Sequence, residues 1–430
     1  MLTPMLLAVQ ALALAAGGQL DVAASARPEV RSRGVQLPQA APSGQAPGGQ
    51  TPVTPASSVS QLESWLVGTL QARYQDGPWQ VQGQYVPALV LRDVLGASTQ
   101  PESTHTGTLR LALLPDSRTT LFLLGNVGYG FYRFGPLDLV LGAPGSGSVS
   151  GGSGGPTGNP TTALDPTRSV EFLNLEARGG ASWQLTRRLR LAAAAGWLEA
   201  GGVKAVDQRG LPLQRGPFAE GQLAWSASRR DALSVDVGLR ATGFSGGTTG
   251  VERVDLATVS GQWVHQLAEP TTLTLLAGGG AGVTALAASP TEEARSLPNG
   301  YGMAAVSVGH QLLFEHQTLQ LDAGVRAAPV VDPATALLQQ RVEGQAAVRW
   351  TPRAGLTAGV RATAMTTVFS AAASRQRLVY TAADLTWALP PLMSLDATAA
   401  HAWDVLGAGP SPRRTWQAGV GLTVRLARGL

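Results

Sequence analysis

The chain has 430 residues, of which 44% are hydrophobic, only 14% are charged and 53 are glycine, and its net charge is +4 at pH 7. Without cysteine it has no disulfide framework and no thiolate metal or redox site. The positive balance comes from arginine, Lys204 being the single lysine, and no basic run or aromatic-basic patch points to nucleic acid. After the first 20 residues no apolar run approaches the ~20 needed for a spanning helix, so the apolar content is dispersed at short period.

Met1 to Ala16, MLTPMLLAVQALALAA, has the length of a signal-peptide core, and Ala13-Leu14-Ala15 and Ala24-Ser25-Ala26 both offer cleavage sites. The absence of Lys or Arg before Arg27 departs from the usual charged start. Residues 1–26 therefore read as an export signal, with a buried strand or short core helix as the other reading. Residues 27–58 are rich in Pro, Gly, Gln and Ala without periodicity, and read as a flexible linker. In 59–78, Ser60-Gln61-Leu62-Glu63 has the form of a capping box, and Leu62, Trp65, Leu66 and Leu70 recur at helical spacing. That segment reads as a short periplasmic helix or, equally, as an extra strand.

From Trp79 onward, residues 79–430 repeat one plan: a strand, a tight turn, a strand, then a looser polar connection. Turns are expected near Pro115-Asp116-Ser117, Thr186-Arg187-Arg188, Arg229-Arg230-Asp231, Glu269-Pro270, Glu315-His316-Gln317, Thr351 to Gly355 and Pro390-Pro391. The clearest hairpin is Arg341 to Met365. Val342, Gly344, Ala346, Val348 and Trp350 alternate with Arg341, Glu343, Gln345, Ala347 and Arg349, and the pattern resumes beyond the turn. A period of two means strands, because successive side chains point to opposite faces.

Trp183, Trp225, Trp263, Phe314, Trp350 and Trp387 each close an incoming strand beside a tight turn. Amphipathic rings are favoured at headgroup level, so this set reads as a periplasmic aromatic girdle. The opposite faces carry Arg190, Asp236, Arg240, Asp322, Arg326, Glu343, Arg349, Arg361, Asp384, Asp396 and Arg425, which are expected to line a lumen. A basic residue set against hydrocarbon at the midplane costs roughly 2 to 4 kcal/mol, so the apolar faces must be the ones in lipid.

The fold class expected is all-β: a transmembrane antiparallel β-barrel, an up-and-down meander of about 16 strands within a range of roughly 14 to 18. An even count leaves both chain ends on the tight-turn, periplasmic side. The longest outer connection, Gly135 to Arg168, is a surface loop or folds into the mouth. The last strand is Trp416 to Leu426.

Signal-like start, girdled hairpins and an amphipathic final strand together resemble the bacterial outer-membrane β-barrel proteins, with porin-like architecture. The resemblance covers Trp79 to Leu426 and is one of architecture rather than of a particular family. It implies the outer membrane as location, with outer-membrane lipid and the assembly machinery as partners, and a possible periplasmic partner through the N-terminal segment. Such barrels usually end on an aromatic residue, whereas this chain ends in Leu430.

No catalytic constellation emerges. Of His105, His265, His310, His316 and His401, only His105 and His401 fall near expected outer loops, where an outer-rim hydrolase would carry its histidine. Gly278-Gly279-Gly280 lies inside a strand with no following helix, so it is no phosphate loop. No metal site and no cofactor is expected. The leading functional expectation is a pore passing small hydrophilic solutes, with a slight preference for anions. The alternatives are an export barrel for a polysaccharide or other polymer, and a structural or enzymatic barrel without an open pore.

Overall fold

The computed structural model describes residues 19–36, 58–93, 101–132, 170–247, 250–288, 293–332, 336–370, 376–389, 392–406 and 413–429. They form eighteen strands: β1 Gln19–Gln36, β2 Ser58–Asp76, β3 Trp79–Asp93, β4 Glu102–Leu113, β5 Thr119–Tyr132, β6 Val170–Gln184, β7 Leu189–Gly202, β8 Leu213–Ser226 and β9 Asp231–Ser245 come first. They continue as β10 Val251–Ala268, β11 Thr271–Leu286, β12 Arg295–Phe314, β13 Gln317–Val331, β14 Leu338–Arg353, β15 Leu356–Ser370, β16 Gln376–Leu389, β17 Met393–Leu406 and β18 Arg413–Gly429. Each strand pairs antiparallel with its sequence neighbours, and β1 pairs with β18, so the sheet closes into a barrel with no free edge.

The meander is as expected, but the count is eighteen rather than about 16. The two extra strands come from the N-terminal region. β1 begins inside the segment assigned to the signal and takes up residues 27–36 of the expected linker; residues 1–18 and 37–57 lie outside the described residues. β2 replaces the helix considered for residues 59–78. Leu62, Leu66 and Leu70 are spaced by four, which keeps one face in a helix and in a strand alike. Trp65 breaks the tie, because in β2 it lies on the opposite face and donates from Nε1 to Glu63 Oε2 at 3.0 Å. Pro28 has no N–H to donate, and the β1–β18 ladder skips Arg27 and Pro28.

Turn chemistry supplies the hairpins. Asp116 Oδ1 accepts the main-chain N–H of Arg118 at 2.6 Å and of Thr119 at 2.7 Å. The hydroxyls of Thr186 and Ser228 accept from the residues two and three positions on in the same way. The N–H of Arg118 holds the Asp116 carboxyl below its usual range. The turn expected over Thr351 to Gly355 is tighter: β14 runs on to Arg353 past a register shift, and Gly355 takes a φ of 83° that favours glycine. The Pro390-Pro391 turn and the connection from Gly135 to Arg168 lie outside the described residues.

Candidate functional site in the barrel lumen

Alternation sorts every strand into two faces. On β9, Leu233, Val235, Val237 and Leu239 stand exposed on the outer face, while Asp236, Arg240 and Thr242 point the other way. The same parity holds on β14, where Val348 and Trp350 are outside. All eleven residues expected to line the lumen lie on the inner parity of their strands. Arg190, Asp322, Arg326, Glu343, Arg349 and Arg425 are exposed there, and Asp236, Arg240, Arg361, Asp384 and Asp396 are half-buried. An exposed side chain on the inner face means that water reaches it, so among the described residues none covers this part of the inner wall.

Neutral donors hold several of the inner carboxylates. Asp236 accepts from Gln222 Nε2 at 2.8 Å and Ser234 Oγ at 3.0 Å, and Asp322 accepts from Gln320 Nε2 at 2.9 Å. Asp396 is bridged by Thr386 Oγ1 at 3.0 Å and Thr423 Oγ1 at 2.8 Å, one from each neighbouring strand. Arg190 donates to Ser182 Oγ at 3.1 Å, Arg240 donates to Thr242 Oγ1 at 3.0 Å, and the Arg361 guanidinium sits 5.8 Å from the Tyr380 ring centroid.

Sequence reasoning missed several inner-face charges. Glu29 pairs with Arg27 at 3.1 Å and with Arg31 at 2.6 Å, and Arg31 lies 4.4 Å above the Trp65 ring. These sit on β1 and β2, within the segments expected as signal, linker, and helix or extra strand. Arg178 pairs with Glu220 at 3.3 Å across β7. Its own strand carries Gly179-Gly180, which blurs the apolar side of the alternation. Period-two counting extended through those glycines would have found it.

The lumen has two tiers. Toward the tight turns the inner positions are polar and exposed, as with Arg73, Gln82, Arg110, Asp322, Glu343 and Arg349. Toward the longer connections they are buried. Val86, Ala88 and Val90 on β3 are covered, as are Leu378, Tyr380 and Ala382 on β16 against Ala400 and Ala402 on β17. Part of the cover is the connection after β13. Asp332, wholly buried, receives Arg341 Nη2 at 3.1 Å and Gln339 Nε2 at 3.3 Å, while Leu337 and Leu338 pack with Val254 and Tyr301. The connection after β7 contributes too: a single helical turn, α1 Ala205–Gln208, leads to buried Leu211, whose carbonyl accepts from Gly202 N at 3.0 Å. Lys204, just before α1, bonds Glu171 at 2.8 Å, and that carboxylate raises its pKa.

The outer face is banded. Trp183, Trp225, Phe314, Trp350 and Trp387 are exposed at the tight-turn end, and Trp263 is half-buried there, donating from Nε1 to Asp231 Oδ1 at 3.1 Å. Trp79 belongs to the same row. Near the other end Tyr129, Trp197, Trp403 and Trp416 are exposed.

The histidines lie outside the lumen among the described residues. His105 Nδ1 is in hydrogen-bond contact with the Tyr85 hydroxyl at 2.8 Å, His265 with Asp231 at 2.7 Å and His310 with Thr271 at 2.7 Å, while His401 stands exposed on the outer parity of β17. The rim position considered for His105 and His401 thus becomes an outer strand face. No group of three potential metal ligands occurs among the described residues.

Closure, alternation and a charged, water-accessible inner face define the class: an eighteen-stranded antiparallel β-barrel with a polar lumen. Within that class, residues 29–430 match the model of the EpsX exopolysaccharide export family, and the chain belongs to that family. No curated protein matches it significantly. Similar solved structures include OpdQ of Pseudomonas aeruginosa, with 11% identity, 95% of this chain and 98% of that chain covered, and a TM-score of 0.45. OpdK of the same organism, solved with vanillate, has 12% identity, coverage of 95% and 99%, and a TM-score of 0.45. OccAB4 of Acinetobacter baumannii has 9% identity, coverage of 94% and 98%, and a TM-score of 0.44.

Proposed function

We propose that this protein is an outer-membrane barrel through which an exopolysaccharide leaves the cell. The observation that carries the reading is the family match over residues 29–430, which spans nearly the whole barrel. The water-accessible inner face supports it, since a hydrophilic polymer needs a wet path. The banded outer face supports membrane embedding. Trp225 pairs with Leu189 and Trp387 with Leu395, and Trp197 and Trp403 each lie eight residues further along (197 − 189 and 403 − 395). Eight residues at about 3.4 Å, tilted by about 40°, give roughly 21 Å of height, close to the ~25 Å apolar band of such barrels.

In this reading the tight turns face the periplasm and the longer connections face outward. Residues 59–76 are barrel wall, so a periplasmic partner would meet the tight-turn rim rather than a free N-terminal segment. Cleavage after Ala15 leaves β1 whole, whereas cleavage after Ala26 removes residues paired with both β2 and β18.

Passage of small hydrophilic solutes is the second reading, favoured by the mixed charges of the turn-side tier. Deletion of the gene tests the first: surface polysaccharide is lost while its synthesis continues. Unchanged surface polymer, together with steady single-channel current from the purified barrel, would favour the second. A protein that shows no heat-modifiable migration in detergent gels and remains in a soluble fraction is no membrane barrel at all.

A further inference from the structure

Resting on the conduit reading, we propose that the inner wall of β5 to β8 carries a sugar-binding subsite that holds two consecutive neutral pyranose units of the passing chain. Two successive levels of inner-face positions are in register across these four strands. One level runs Phe122, Gly180, Ala194, Glu220, and the next runs Leu124, Arg178, Gly196, Phe218. The phenylalanines lie at opposite corners of this patch, and each leans inward over a glycine. A Cβ at Gly180 would stand 2.6 Å from Cζ of Phe122, and one at Gly196 would stand 2.6 Å from Cζ of Phe218. A Cβ at either position would also meet a neighbouring strand's backbone carbonyl, that of Ala193 or of Ala177, so both positions are closed to a side chain and the rings lie close to the sheet there.

Between the rings runs the Arg178–Glu220 pair at 3.3 Å, and the Arg178 guanidinium is 5.7 Å from the Phe122 centroid. Phe122, Arg178, Phe218 and Glu220 are all only half-buried, so the patch is in contact with lumen water. Because each ring leans over the glycine of the next strand, the two rings stand over β6 and β7, roughly 4.8 Å apart across the strands and offset by one level of roughly 6.7 Å, a separation that two consecutive pyranose rings bridge.

The chemistry of the patch fits one kind of ligand. A pyranose has an apolar C–H face and a rim of hydroxyls, each both donor and acceptor. Wet phenyl rings lose unfavourable hydration when such a face stacks on them. The ion pair supplies a donor and an acceptor to the hydroxyl rim without net charge, which suits a neutral sugar better than a uronate or a phosphate. With 21% and 24% of the two side chains exposed, the pair is open to lumen water on one side, where sugar hydroxyls can reach it as the polymer moves. The subsite would slow and align the chain without trapping it, since conduction needs binding that also releases.

Maltohexaose is the probe. In planar bilayers the wild-type barrel should show sugar-dependent interruptions of its current, and polyethylene glycol of similar size should not reproduce them. In the Phe122→Leu/Phe218→Leu double variant, which keeps apolar bulk but loses both flat faces, dwell times should fall about tenfold, the equivalent of about 1.4 kcal/mol. Phe122→Tyr/Phe218→Tyr should keep them. Heat-modifiable migration verifies that each variant is folded. Calorimetry on the detergent-solubilised barrel reads the same binding without requiring an open channel. No maltohexaose binding by either measurement, equal dwell times in the double leucine variant, equal occlusion by polyethylene glycol, or binding of oligogalacturonate alone would each overturn the subsite. None of those results touches the conduit reading, which falls only if surface polysaccharide persists after deletion of the gene.

Discussion

Strand β14 carries both tiers of the lumen on a single face. Glu343, Gln345 and Arg349 are exposed toward the tight turn, whereas Arg341 and Gln339, on the same face toward the other end, are buried against Asp332. Residue types are alike in the two tiers, and all five side chains are polar. What differs is the cover: Asp332 and Ala336 to Leu338 pack against the inner wall at one end, and the inner positions at the other end stay exposed. Polar character on an inner strand face therefore says which way a side chain points, and not whether water reaches it.

The largest expected effect breaks the covered tier. Arg341→Leu leaves Asp332 as a buried carboxylate without its guanidinium partner, with Arg341 itself only 4% exposed. The cost should be about 3 to 5 kcal/mol. Urea titration in lipid vesicles reads the loss, and an increased single-channel conductance accompanies it if the connection after β13 swings clear. Equal stability of wild type and variant would mean that the pair does not hold the cover.

Next comes the contrast between outer and inner faces. Val237→Arg places a charge on the exposed apolar band of β9 and should cost roughly 2 to 4 kcal/mol in lipid. Arg326→Gln, on the wet inner face of β13, should leave stability nearly unchanged. Comparable losses for both would argue against embedding of the outer band.

A smaller effect reports on the wet tier alone. Arg326→Gln with Arg349→Gln removes two exposed inner cations and should shift the reversal potential in a salt gradient toward cations. In Arg341→Gln the buried guanidinium should contribute less to selectivity than either exposed one. A wild-type barrel with clear cation preference would refute the expected lean toward anions.

The smallest effect lies at a turn. The folded-state pKa of Asp116 is lowered by the N–H of Arg118, so its stabilisation is complete above the ordinary carboxylate range and disappears as pH falls through the lowered folded value. Asp116→Ala should therefore be slightly less stable than wild type at neutral pH and equal to it in strong acid. Folded fractions from heat-modifiable migration across a pH series measure the difference.

Much of this was legible in the residues. Hairpin order, the inner parity of all eleven lumen positions and the outer position of the turn-side aromatics follow from period-two counting. Trp79 escaped because it was taken as the start of the barrel rather than as the close of a turn. Arg27, Glu29, Arg31 and Trp65 escape because Leu62, Leu66 and Leu70 fit a helix as well as a strand, and because residues 27–58 are rich in Pro, Gly, Gln and Ala without overall periodicity. Arg341 was placed on the correct face, but its burial depends on Asp332, which is nine residues away in a connection with no alternation to read.

The sequence by itself determined which face of each strand is apolar, because alternation is a property of the backbone and needs no partner. Only the tertiary structure decided that β1 seals the barrel between β18 and β2, since closure is a long-range pairing that local pattern does not encode. It also decided which inner residues stay wet, because burial such as that of Arg341 depends on contacts with Asp332 that no local pattern encodes. Phe122 of β5 and Phe218 of β8 share one patch for the same reason: register brings onto one stretch of inner wall positions nearly a hundred residues apart.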